Sequence, residues 1–137
     1  MMKFLATIWF FLLPLPALAF EQADWCVQAE AQVRAYYEAL GKGDVEAIRN
    51  QLGGQLAEKR RHLLTNPTYP EYLVQTYSDR KAEIKDCAPG NSDTVRVRVT
   101  ETSFGPSTDS VEKLFVLVRQ APTGDYLIVS EGLALYD

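Results

Sequence analysis

Along this chain the spacing of apolar positions changes once, and that change divides the fold. From Cys26 to Leu40 apolar or small residues stand at Cys26, Ala29, Val33, Tyr36, Tyr37 and Leu40, in steps of three and four. Such steps make one stripe of a helix, with Gln28, Gln32, Arg34 and Glu38 off it. Gly41 is placed to end this helix in a left-handed turn. Asp44 can cap a second helix, Glu46 suits its first turn, and Val45, Ile48 and Leu52 form its stripe. Gly53-Gly54 interrupts, and a further helical segment is expected from Gln55 to Leu64. Asn66-Pro67-Thr68-Tyr69-Pro70 reads as a turn, with Pro70 opening a short helix from Glu71 to Tyr77 whose less polar side is Tyr72, Leu73 and Tyr77.

From Ala82 the period becomes two. Ala82, Ile84 and Asp86 alternate with charged neighbours in a first strand ending near Cys87. Thr94–Thr102 has Val95, Val97 and Val99 on one face and Arg96, Arg98 and Thr100 on the other. A third strand spans Val111–Gln120, apolar at every position from Leu114 to Val118, and Tyr126–Leu135 makes a fourth. Helices first and short-turned strands afterwards predict an α+β fold with an antiparallel sheet of three to four strands. A strand apolar on both faces needs cover on both, so Leu114–Val118 predicts a sheet-mediated homodimer.

Composition adds a compartment. Residues 1–19, MMKFLATIWFFLLPLPALA, place Lys3 before an apolar run from Phe4 to Leu13, then Pro14, Pro16 and the triplet Ala17-Leu18-Ala19. That order is a secretory signal peptide cut between Ala19 and Phe20, leaving residues 20–137 as one domain. The run is well short of the roughly 20 apolar residues of a membrane span. Export to the periplasm or medium is therefore expected, with no stable membrane insertion after cleavage. A formal net charge of −4 gives no electrostatic case for nucleic acid as a partner. Cys26 and Cys87 are an even pair, which in an oxidising compartment reads as one structural disulfide; two free buried thiols or a redox pair are the alternatives.

The stretch VRAYYEALGKGDVEAI is similar to the first two helices of the nuclear transport factor 2-like superfamily, whose members include scytalone dehydratase, polyketide cyclases and ketosteroid isomerase. The matching residues are Tyr36, Ala39, Leu40, Gly43, Asp44 and Ile48, in the pattern A-L-x-x-G-D at the join of two helices. The resemblance implies a curved sheet wrapped around its helices with a cone-shaped pocket. The periodicity taken alone would equally allow a cystatin-like layout.

The resemblance places Tyr36 where ketosteroid isomerase has its hydrogen-bond-donating tyrosine. Such an isomerase also needs an aspartate base from beyond the second helix. Here that stretch holds Gln55, Glu58 and the run Lys59-Arg60-Arg61-His62, which reads as a solvated helix face with an anion-binding patch as the sharper alternative. Cations there would weaken a neighbouring carboxylate as a base. His62 is the only histidine, so no multi-histidine metal site is expected. No Walker loop, dinucleotide fingerprint or zinc spacing occurs, and no cofactor is expected. The sequence thus points to an exported binding or interaction module, without catalytic residues. Tyr36, Tyr37 and Tyr72 would line a pocket for a small apolar or anionic ligand or an envelope partner. A small lyase or isomerase is the alternative, and a buried carboxylate facing Tyr36 would favour it.

Overall fold

The computed structural model describes residues 15–120 and 124–134. Four helices precede four strands: α1 Leu15–Lys42, α2 Val45–Gln51, α3 Gly54–Thr65, α4 Tyr69–Tyr77, β1 Arg80–Pro89, β2 Thr94–Phe104, β3 Thr108–Arg119 and β4 Tyr126–Leu133. The expected signal segment falls mostly outside the described residues. Its last five positions, Pro16 among them, are helical backbone within α1.

The sheet is antiparallel throughout, in the order β1-β2-β3-β4. Two bulges bend it and reset which side chains face inward. In β1 the ladder shifts between Ile84 and Asp86. Cys87, not Asp86 as simple alternation would have it, therefore follows Ala82 and Ile84 inward, and Asp86 turns out toward Arg98. In β4 the shift sets Leu117 opposite Ile128 but Val116 opposite Ser130, so Val129 is the extra residue. Beyond it Glu131 lies opposite Phe115, on the inner face.

That inner face packs on the α1 stripe. Ala29, Val33, Tyr36 and Leu40 are buried against Val95, Val97, Val99, Phe115, Leu117 and Ile128. The corner after α1 is set two residues later than expected, because Gly43 and not Gly41 takes the left-handed conformation, at φ 66°. The Asp44 N–H donates to the Ala39 carbonyl and the Gly43 N–H to that of Leu40, which satisfies the last carbonyls of α1. A Cβ on Gly43 would lie 2.6 Å from the Pro70 carbonyl oxygen, so the glycine also permits α4 to approach α1. The Asp44 side chain caps α2 by accepting from the Ala47 N–H at 3.1 Å. Between α2 and α3 the chain runs beside β4: Leu52 bridges Ile128 in parallel, and the Gly53 N–H donates to the Ile128 carbonyl.

Cys26 and Cys87 are joined in a disulfide that links α1 to β1. Among the described residues no helix is long and apolar enough to cross a membrane.

Candidate functional site: a charged cavity between the helices and the sheet

A cavity of about 540 Å³ opens between α1, α3, α4 and the lower part of the sheet. Leu40, Leu63, Leu73, Tyr69, Tyr72 and Tyr77 supply its apolar surface, Tyr36, Arg60, Arg80, Lys113 and Glu131 its polar end, and Asn66, Thr68 and Thr76 further polar groups. Its volume lies within the range of small-molecule sites.

Each polar side chain reaches the cavity for a local reason. Tyr36 belongs to the buried stripe of α1 and is 1% exposed. Arg60 stands four residues from both Leu56 and Leu64, the two buried residues of α3, and so shares their face. Lys113 continues inward from Leu117 and Phe115 at period two, and Glu101 does the same from Val95, Val97 and Val99. Glu131 is turned inward by the bulge at Val129.

Together they form one network. The Tyr36 hydroxyl donates to Glu131 Oε1 at 2.8 Å, and Arg60 donates both to the Tyr36 oxygen and to Glu131 Oε1 at 3.0 Å. Lys113 Nζ joins Glu131 Oε2 at 3.1 Å to Glu101 Oε2 at 3.2 Å. Behind the cavity Glu101 also accepts from Tyr37 and from Arg80, each at 2.7 Å. The Arg80 guanidinium lies over the Tyr77 ring, 5.1 Å from its centre.

Burial disfavours the ionised form of Glu131, but Lys113 and Arg60 outweigh it and hold the carboxyl below its ordinary range. Burial also opposes the charge on Lys113, yet Glu131, Tyr77 and Glu101 keep its pKa raised. The Tyr36 hydroxyl is pushed well above its ordinary value by burial and then by the Glu131 charge. Tyr37 is raised likewise, by burial and by its bond to Glu101. At neutral pH the phenols of Tyr36 and Tyr37 are therefore neutral donors to the charged network.

Of the three tyrosines expected to line a pocket, Tyr36 stands at the polar end and Tyr72 at the mouth, 58% exposed and stacked on Tyr69 with ring centres 6.0 Å apart. Tyr37 is displaced from this cavity. It points one step around α1 toward β1 and Glu101, and borders a separate, smaller groove with Ala82 and Ile84. The charged run of α3 divides: Glu58 and Arg61 pair in solvent, while Arg60 turns in. Cys26, Glu30 and Cys87 place donor atoms within 4.8 Å of one another, but both sulfurs belong to the disulfide and offer no thiolate to a metal.

No protein-family model matches the chain, and no curated protein matches it in sequence. Solved structures do. It is similar to a SEC-C motif containing protein from Rhodopseudomonas palustris, with a TM-score of 0.57, 14% identity and 88% of each chain covered. It is similar to an NTF-2 like protein of unknown function from Shewanella oneidensis MR-1, with a TM-score of 0.52, 14% identity, and 80% of this chain and 96% of that one covered. A ketosteroid isomerase-like protein from Erwinia carotovora atroseptica SCRI1043 aligns with a TM-score of 0.48 at 19% identity over 77% of this chain and 91% of that one. Four helices followed by a bent, open antiparallel sheet, with the likeness to the Shewanella NTF-2 like protein, decide between the two layouts that periodicity allowed: the chain has a nuclear transport factor 2-like fold.

Proposed function

We propose that this chain is an exported binding protein whose cavity holds a small organic molecule without transforming it. The observation that carries this reading is the state of Glu131. It is the carboxylate in hydrogen-bond contact with Tyr36, and two cations hold its pKa low. A general base works best with a pKa near the working pH, and Glu131 is moved the other way. Glu58, the other carboxylate considered from the sequence, is 70% exposed and paired with Arg61.

The specific observation on the side of a lyase or isomerase is the same 2.8 Å contact, since a buried carboxylate does face Tyr36. The two readings separate in one experiment. A thermal-shift screen of small aromatic and aliphatic molecules should find compounds that raise the melting temperature, an effect weakened by Tyr72→Ala. NMR in heavy water should show no deuterium uptake into an enolisable ketone and no loss of water from a dehydratable alcohol. Turnover abolished by Tyr36→Phe or Glu131→Gln would overturn the binding reading.

The disulfide is consistent with an oxidising compartment and supports export. Cleavage after Ala19 would keep all the described packing of α1, which begins at Trp25. Intact mass of protein from the natural host should correspond to a chain starting at or near Phe20; retention of Met1 or Met2 would refute it.

A further inference from the structure

The cavity wall carries an imbalance of charge and of hydrogen-bonding capacity. Arg60, Arg80 and Lys113 line it as cations, and Glu131 lines it as an anion, while Glu101 stands behind. Both carboxylates are engaged on both oxygens. Glu131 accepts from Tyr36 and Arg60 on Oε1 and from Lys113 on Oε2. Glu101 takes Arg80 on Oε1, and Tyr37 and Lys113 on Oε2. The donors are not used up in the same way. A guanidinium has five N–H groups. Arg60 directs two at Tyr36 and Glu131, and Arg80 directs one at Glu101. The Tyr36 hydroxyl both donates and accepts within the network, the Asn66 oxygen already accepts from the Thr68 N–H and hydroxyl, and the Thr68 and Thr76 hydroxyls are neutral groups that donate as well as accept.

A partly buried wall with surplus donors and surplus positive charge favours a ligand group that is negatively charged and rich in acceptors. A planar carboxylate matches a guanidinium fork better than a neutral amide or alcohol does. The remaining lining, Leu40, Leu63, Leu73 and the stacked Tyr69 and Tyr72, favours an apolar or aromatic body. We propose that the ligand of this cavity is a small organic acid, its carboxylate received by Arg60, Arg80 and Lys113 and its apolar body lying along Leu63, Tyr69 and Tyr72. This rests on the binding reading above and narrows it to one ligand class.

The test uses the purified protein and matched probes: benzoate, cinnamate and 1-naphthoate, each with its primary amide, and phenyl phosphate as a second anion, titrated by calorimetry and NMR. At least one acid should bind, more tightly than its amide by about tenfold or more, the scale of one charge-assisted contact. Acid affinity should fall as salt is raised, and amide affinity should not. Arg80→Gln should shrink the advantage of the acid over its amide. The salt series is run on unaltered protein, so the test stands even where that variant does not fold. Amides binding as well as acids would overturn the organic-acid assignment and leave the binding reading intact. Preference for phenyl phosphate over every carboxylate would overturn the carboxylate assignment. No binding by acids, amides or phosphate, with no hit in the thermal-shift screen, would overturn both.

Discussion

Replacing Glu131 by glutamine should destabilise the protein by about 3 kcal/mol at neutral pH, the scale of removing one partner from a buried ion pair. Glu131 is 5% exposed and faces Arg60 and Lys113, themselves 24% and 18% exposed. Glutamine keeps the volume and one acceptor but leaves Arg60 without its carboxylate and Lys113 sharing Glu101 with Arg80. Denaturant unfolding of both proteins at neutral pH measures the difference. Glu58→Gln on the solvated side of α3 is the matched control and should change stability by less than about 0.5 kcal/mol. The pH dependence gives a second readout. The folded pKa of Glu131 is lowered, so its contribution is present above the unfolded value of about 4.3 and is lost as pH falls through the folded one. The variant should lack that part of the acid limb. Lys113 acts in the opposite sense: its raised pKa gives stability below about 10.4 that is lost as pH rises through its folded value. Equal stability of Glu131→Gln and the parent at pH 7 would show that the network contributes nothing net.

Cys26→Ser should be costlier still. The disulfide closes a sequence separation of 61 residues. In the chain-entropy picture such a loop stabilises the folded state by about 4 kcal/mol, acting through the unfolded chain. For a domain of this size that corresponds to a fall in melting temperature of about 15 °C. The link also holds an edge strand to α1 at the position where the β1 bulge presents Cys87 inward. Alkylation of the unreduced, denatured protein should label neither cysteine, and labelling of both would remove the basis of the prediction.

Most of the architecture was legible because local patterns and tertiary demands agree. Val95, Val97 and Val99 alternate cleanly and do face the core, and the stripe Ala29, Val33, Tyr36 and Leu40 packs as its spacing requires. The site was less legible, for two separate reasons. Arg60, Glu101 and Lys113 continue buried stripes at the correct period, so a signal existed. It was masked by the ordinary expectation that charged residues mark a solvated face. Glu131 carried no such signal. Alternation from Tyr126 and Ile128 points to Ser130, and only the extra residue at Val129 brings the glutamate inward. The displacement of the left-handed turn from Gly41 to Gly43 has a similar origin. Both glycines tolerate it, and the close approach of Pro70 in α4 selects the second.

The two borders of the sheet are protected by different means, and this bears on edge-to-edge pairing between copies of the chain. The outer backbone groups of a border strand are a template for another chain. At β4 the template is partly occupied by the protein's own Leu52 and Gly53, which bond to Ile128. At β1, among the described residues, no segment bonds across the strand in this way. Instead the ladder is broken between Ile84 and Asp86, and the exposed positions carry Lys81, Glu83, Lys85 and Asp86. A neighbouring strand would meet an irregular edge and have to strip water from alternating charges to pair with it. The bulge that delivers Cys87 to its disulfide thereby also acts as a guard against edge-to-edge polymerisation.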